Sequence, residues 1–552
     1  MDDLLENIEE YLSNIVEHDR LSGGEGESKA IDYIASELDK DNIKNTILYY
    51  DALISDPIES VLYYTNTEGK YKIESKTRSF SKSTNLEEVR GELIYLHEDK
   101  LIKSASEFNL KKDLLQLDLV GKIVISESLN PVSILEIEKR GAIGFINYWK
   151  GDEDLIHEGI YNLIWGMPNV NQLDYYIDIP IVCVNKRDGH RLIKEINNNI
   201  VVYMSTLLEK RIKKIPVLIA EINENSDRFL LLGNHIDSWY YGATDNGTGN
   251  ALALAIAKKI NSEKDRYSIG LKIAWWSGHS NGRYAGSSLY AVGKYKELND
   301  SCLAYMNIDM PGLKGAYNYK RLSSGPDLIH IEKEAVKKLT GQDGKYFGKI
   351  RGWDQSFQNI GISPLMIWAS TLEDGHEYST AGTFMTWWWH TEKDILEYFD
   401  RDVLNMDAKI YYEVINNFLS KGLDSFNISN LIDKIIEIFE NIKYMYSDLI
   451  DLDLIIDDLE KIRKTNICNA DVKSENKLKI IRYLNRIYYS AKSSHLQDYS
   501  VDEGEIPGLV ELLKIYDNID DRFNKEILKN QIMIEKNRII EILSILKILS
   551  NC

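Results

Sequence analysis

Four apolar runs between residues 228 and 370 constrain this chain more than any other feature. They read RFLLLGNH (228–235), LKIAWWSG (271–278), CLAYMNID (302–309) and SPLMIWAS (363–370). Each has the length and composition of a buried strand, and GNALALAIAKKI (249–260) between the first two has the composition of a helix opened by small residues. Alternation of that kind predicts an α/β fold, a mainly parallel sheet with helices on both faces. Such sheets bind ligands beyond the carboxyl ends of their strands. His235, His279 and Asp309 each fall at the end of one of these runs.

The rest of the chain divides around that core. Residues 1–51 read as two amphipathic helices broken by SGGEGE (22–27) and are expected to pack on the sheet-bearing region. From 52 to 212 the texture changes to short strands, GKIVIS (121–126), GAIGFINY (141–148) and IPIVCVN (179–185), with helical stretches VSILEIEKR and DGHRLIKEI between them, as in a small α/β or barrel-like module. The sheet-bearing region spans 213–425, and 426–552 shows only amphipathic helices. That helical tail packs on the third region or on a second subunit, so a homodimer formed through it is one expectation.

A chain of 552 residues exceeds one compact core and implies several domains. Its net charge of −20 disfavours nucleic acid or an anionic membrane as partner, and is more simply a matter of solubility. Cys183, Cys302, Cys468 and Cys552 are too scattered for a disulfide frame or a cysteine metal cage. The acidic start MDDLLENIEEYL lacks the features of a signal peptide, and Lys547 interrupts the most apolar stretch, ILSILKILS (542–550). A cytoplasmic location is the simplest expectation.

Polar residues at the strand ends form a set. HIDSWYYGATDN (235–246), NIDMPG (307–312) and WWHTEKD (388–394) carry His235, Asp237, Asp245, Asp309 and His390. Two cations about 3.5–4 Å apart around an activated water need nitrogen and carboxylate ligands of this type, one carboxylate bridging both. Asp245, in a tight Gly-Ala-Thr-Asp-Asn-Gly loop, suits the bridge; His235 and Asp309 would complete one site and His390 contribute to the other. Asp237 could accept the second N–H of His235 and fix its tautomer. The remaining histidines, His18, His97, His157, His190, His330 and His495, read as surface or capping residues.

With these residues in place, the third region resembles the M28 family of zinc peptidases. The HxDSW start, the ten-residue step from His235 to Asp245, Asn307-Ile308-Asp309, His390-Thr391 and WDQSFQNIGISPL (353–365) carry the resemblance. The order LVGKIVIS, KRGAIGFINY, IPIVCVNKRDG resembles an inserted protease-associated (PA) domain. A PA insertion followed by a helical tail is the layout of the glutamate carboxypeptidase and transferrin receptor branch. The resemblance implies one or two zinc ions and a small peptide substrate hydrolysed by an aminopeptidase. It also leaves two other expectations open: an inactive pseudopeptidase that binds a partner, or a zinc-dependent amide transferase or cyclase on the same fold.

One departure bears on the chemistry. Where active family members carry Glu-Glu, general base then zinc ligand, this chain has His279-Ser280. Three readings follow: His279 replaces the ligand beside Asp245 and His390, His279 is the base, or the site has decayed. Where some members place a Tyr for the tetrahedral intermediate, Trp387-Trp388-Trp389 stands instead, with Trp389 either a substrate wall or a packed strand edge. Glu373, Asp374, His376, Glu377 and Tyr378 are further candidates for the base, in a segment that also reads as an exposed loop.

Overall fold

A computed structural model describes residues 5–102, 118–152, 154–380, 385–465, 473–501, 504–519 and 521–550. Its strands are β1 (Lys44–Asn66), β2 (Gly69–Ile73), β3 (Lys76–Thr77), β4 (Val89–Tyr95), β5 (Lys122–Ser126), β6 (Gly144–Tyr148), β7 (Ile181–Val184), β8 (Val201–Ile222), β9 (Phe229–His235), β10 (Gly270–Trp276), β11 (Cys302–Asn307), β12 (Arg321–Leu322), β13 (Lys345–Tyr346) and β14 (Ser363–Pro364). Twelve of them join one sheet in the order β14-β11-β9-β10-β8-β4-β5-β6-β7-β3, with β1 on β8 and β2 on β1. Strands β14, β11, β9 and β10 run parallel, as do β4 to β7, and β8 is antiparallel to both neighbours in that order. The architecture is the mixed α/β fold that the apolar runs predict.

Strand β9 shows why its sequence needs no polar alternation. Leu230 and Leu232 enter a core shared with Leu252, Ile256 and the N-terminal helix Ile8–Ile15. Phe229 and Leu231 enter a second core with Tyr290 and Leu298 on the opposite face. Both faces are covered, so every side chain of the strand is buried. The helix Thr248–Ser262 is Ala- and Leu-rich for the same reason, being packed almost all round.

The middle region hangs from this sheet on a long two-stranded ribbon. Strands β1 and β8 pair antiparallel from Lys44↔Glu221 to Thr65↔Val201. Ala52 lies opposite Lys213 in that register, so the segment 52–212 leaves and returns at facing positions of one ribbon. The tail folds as helices Ile428–Tyr446, Asp453–Lys464, Ser474–Tyr489, Pro507–Asn518 and Arg522–Leu549. Its third helix is pinned to the sheet region: buried Arg482 donates to the carbonyls of Gly361 and Leu298, each at 3.2 Å, and Asn485 Nδ2 donates to Ser363 Oγ at 2.7 Å. Cys183 and Cys302 are buried free thiols, and Cys468 and Cys552 lie outside the described residues. Among the described residues no helix is long and apolar enough to cross a membrane.

The run 363–370 differs from its expected strand. Only Ser363 and Pro364 pair with β11. Leu365 N–H still donates to Tyr305 O at 2.7 Å, but Met366 then takes a left-handed φ of 48° and turns the chain out of the sheet.

Behind this sheet edge lies a buried carboxyl with a measurable signature. Asp407 Oδ2 accepts from Gly312 N–H (2.8 Å) and Ser370 Oγ (2.9 Å), and its Oδ1 has no partner. Burial pushes its pKa up to about 7. The folded state therefore holds this proton where the unfolded chain, near 3.9, has released it, and stability falls as pH rises through that window. Asp407→Asn, which mimics the protonated acid, is expected to gain on wild type by on the order of 2–4 kcal/mol between pH 4 and pH 8. Urea unfolding at the two pH values checks it, and a stability difference that stays constant with pH removes the assignment.

Candidate metal centre

The carboxyl ends of β9 and β11, with the loops after β10 and before residue 391, converge on one cavity of about 530 Å³. His235 closes β9. Its Nδ1 lies 2.8 Å from the main-chain carbonyl of Asp237, which leaves Nε2 facing inward. There Nε2 is 3.0 Å from Asp245 Oδ1 and 3.4 Å from Asp309 Oδ1. His390 is arranged in the same way: Nδ1 lies 3.2 Å from Glu158 O, and Nε2 is 3.0 Å from Asp245 Oδ2. Asp245 thus presents one oxygen to each imidazole.

The loop carrying Asp245 is fixed from beneath. Asp394 Oδ1 accepts from Thr244 N–H and Oγ1, and Oδ2 from Asp245 N–H, all within 2.9 Å. Fully buried Arg20 donates to the carbonyls of Ile236, Tyr241 and Gly242 around the same loop. Trp388 is buried under it with Nε1 3.3 Å from Thr244 Oγ1, which answers part of the question about the tryptophan run. Trp389 lines the cavity and stacks on His390 at 3.7 Å.

Asp237 plays a different part from the one its spacing suggested. Its carboxylate is 3.8 Å from His235 Nδ1, too far for a hydrogen bond. It accepts instead from Ser22 Oγ (2.6 Å), Ser280 N–H (2.7 Å) and His279 N–H (3.3 Å). Asp237 therefore orients His235 through its main-chain carbonyl and uses its side chain to hold the 279–280 turn.

His279 stacks on His235 with ring centroids 3.8 Å apart, and its Nδ1 lies 2.7 Å from Asp354 Oδ2. Asp354 is buried, its Oδ1 accepts from Ser287 Oγ at 2.6 Å, and it sits in a left-handed conformation, φ 54°. Potential ligand atoms of His235, His279 and Asp309 lie within 4.8 Å of one another. Among the described residues that grouping joins His279 to His235 and Asp309, and does not join it to Asp245 and His390. Glu373, Asp374, His376, Glu377 and Tyr378 do not line the cavity; Glu373 pairs with Lys320 and Asp374 with Arg321.

The donor set fits a divalent cation. His235 Nε2 faces Asp245 Oδ1 and Asp309 Oδ1 together, all three groups buried, and a single imidazole nitrogen answers two carboxylates poorly, an arrangement costly unless a cation completes it. Burial pushes Asp309 up. Burial opposes ionisation of Asp245 too, yet His235 and His390 hold it well below the usual carboxylate range. Imidazole and carboxylate donors in this ratio suit zinc.

Three contributors escaped the sequence reading. Asp354 lies in the WDQSFQNIGISPL segment, but nothing local pairs it with His279. His157 is 2% exposed, with both ring nitrogens unpartnered, and is stacked between Trp149 and His390. Burial first, then Arg78, lowers its pKa well below the ordinary histidine value, so it is a neutral ring in the cavity wall and no surface residue. Arg78 itself lies on the same wall.

Comparison with known proteins agrees with this geometry. Residues 218–415 match the description "Peptidase family M28". A probable glutamate carboxypeptidase of Arabidopsis thaliana is 22% identical over 378 residues, 55% of this chain and 50% of its own length. An aminopeptidase of Rattus norvegicus is 27% identical over 218 residues, 36% of this chain and 28% of its own. The chain thus matches half or less of the length of these curated relatives. Among solved structures, a peptidase M28 precursor of Shewanella amazonensis superposes with a TM-score of 0.58 at 16% identity, over 75% of this chain and 92% of that one. A zinc aminopeptidase of Bacillus subtilis gives 0.54 at 18%, over 75% and 95%. The domain that carries this site belongs to peptidase family M28.

Proposed function

We propose that the chain is a zinc-dependent metallopeptidase, an aminopeptidase that hydrolyses small peptides. The observation that carries the reading is Asp245, whose two oxygens each lie 3.0 Å from a different inward-facing imidazole nitrogen, as a carboxylate bridging two cations would. His235, Asp245, Asp309 and His390 would hold zinc, which supplies a Lewis acid for the scissile carbonyl and lowers the pKa of a bound water.

His279 is the general base in this reading. Asp354 takes the Nδ1 proton of its ring in a hydrogen bond, leaving the Nε2 lone pair free to accept a proton from the attacking water. Asp354 is a positioning residue, holding the tautomer and facing the imidazolium that forms. Ser287 keeps its other oxygen occupied. Asp237 places the 279–280 turn through two main-chain N–H groups. Trp389 forms a wall for the substrate beside His390. The PA-like insertion closes the cavity from the other side, where Glu158 N–H donates to His390 O at 2.9 Å.

Turnover of aminoacyl and dipeptide substrates by the zinc-loaded chain, with metal counted on the same sample, tests the proposal. A chain that takes up no zinc, or one that is loaded and cleaves none of them, would leave a partner-binding role in its place. Asp354→Asn is expected to lower kcat by about 10²-fold or more with KM and zinc content little changed, because an amide can force the opposite tautomer on His279. Unchanged kcat, or loss of zinc instead, would show that Asp354 does not act through a base.

A further inference from the structure

Two consecutive bulky residues in the loop after β10 are left-handed. Arg283 has φ 51° and Tyr284 φ 68°, a conformation that such residues hold only where their surroundings fix them in it. The backbone delivers a phenol ring to the metal cavity beside His279. The Tyr284 ring meets the His279 imidazole edge to face, with centroids 4.8 Å apart and 86° between the planes, and Tyr284 N–H donates to His279 O at 3.4 Å. Tyr284 also stacks on Trp165 at 4.0 Å. Trp165 is itself fixed, donating from Nε1 to Ser356 Oγ at 2.7 Å and lying 3.8 Å from the Arg351 guanidinium.

The ring is packed, but its hydroxyl is not engaged. Tyr284 is 8% exposed and lines the cavity, and its oxygen lies near Gly352, where an added Cβ would stand 3.8 Å from it. Among the described residues no group forms a hydrogen bond with this hydroxyl, which is influenced only by burial and by more distant charges. The main-chain donors of the neighbouring turn are already used, since His279 N–H and Ser280 N–H both go to Asp237. A phenol keeps its proton near neutral pH, so Tyr284 presents an idle donor to the cavity that His279 serves.

We propose, resting on the peptidase reading, that Tyr284 is a further catalytic residue whose hydroxyl donates to the oxyanion of the tetrahedral intermediate. In that step the water oxygen bonds to the scissile carbonyl carbon, its proton passes to His279 Nε2, and the carbonyl π pair moves onto the carbonyl oxygen. Tyr284 shares its proton with that oxygen and keeps it. When the pair returns, the C–N bond breaks and the His279 imidazolium gives its proton to the leaving amine. A fixed donor aimed at the charge that develops, and unengaged beforehand, needs no rearrangement at the moment of reaction.

The test uses the full zinc-loaded chain, wild type and Tyr284→Phe, which keeps the ring and its packing on His279 and Trp165. Turnover of Ala-Ala is measured beside calorimetric binding of two uncleavable dipeptide isosteres. One is phosphinic, with a tetrahedral centre and two oxygens; the other is a ketomethylene with a trigonal carbonyl. Tyr284→Phe is expected to lower kcat by about 10²-fold with KM and zinc content little changed. It should weaken the phosphinic isostere by about tenfold or more and leave the ketomethylene unaffected, since the hydroxyl is spent on the tetrahedral form. Equal weakening of both isosteres would make Tyr284 an ordinary binding contact, and loss of zinc would make it structural. Either result overturns the assignment, as does phosphinic binding that is absent in wild type or unchanged in the variant. A wild type that cleaves nothing, with the phosphinic preference still lost in Tyr284→Phe, would sink the peptidase reading and retain the donor. Turnover that is the same in both chains does the reverse.

Discussion

Replacing Asp245 with Asn is expected to strip the chain of stoichiometric zinc and to lower peptide hydrolysis by at least about 10³-fold, since several kcal/mol of transition-state charge stabilisation goes with the metal. The side chain has the same shape, and the main-chain N–H that ties residue 245 to Asp394 is untouched, so the loop should keep its place. What changes is chemistry: one oxygen becomes an NH₂ group, which can donate but not ligate. The nitrogen would face either His235 or His390, 3.0 Å from a ring atom that is itself committed to the site. Metal analysis with a thermal unfolding scan separates loss of zinc from loss of fold. If the variant retained its zinc and turned over peptides normally, Asp245 could not be the bridge.

His279→Ala is the second large effect. Removing a general base costs about 10²–10⁴-fold in rate. The side chain is stacked on His235, bonded to Asp354 and met edge-on by the Tyr284 ring. Its loss should therefore leave His235, Asp245, Asp309 and His390 where they are. Full zinc content with slow turnover is the expected result. Activity and zinc lost together would make His279 a ligand, completing the group with His235 and Asp309.

The candidate metal ligands were legible because their signals are local. An apolar run buried on both faces marks a parallel strand, and the first polar residue after it marks the strand's carboxyl end. His235, Asp309 and, after LKIAWWSG, His279 could be placed by that reasoning alone. The residues that match family M28, 218–415, include these segments. Asp237 shows the limit of spacing: position 237 does partner His235, but through its main-chain carbonyl, because Ser22 and the turn at 279–280 occupy its carboxylate.

The residues that escaped notice are those whose partners are far along the chain. His157 looked like any isolated histidine until the β1–β8 ribbon swung residues 52–212 over the strand ends and laid its ring against His390. Arg78 belongs to a short polar stretch, SKTRSFSKS, that has the composition of a surface turn. In the fold it is buried because Asn147, Cys183 and Tyr161 surround it. Asp354 meets His279 across 75 residues, through a backbone turned left-handed at Trp353 and Asp354.

The sequence by itself thus determined the α/β sheet, the helical tail, the match to family M28 and the candidate metal-ligating side chains, because periodicity, strand burial and residue chemistry act over a few neighbours. Only the tertiary structure decided which imidazole nitrogen faces inward, which carboxylate stands behind His279, and that Arg78 and His157 are buried in the cavity wall. Hydrogen-bond direction and charge compensation are set by whatever packs alongside, and in this chain those neighbours arrive from segments 75 to more than 200 residues away.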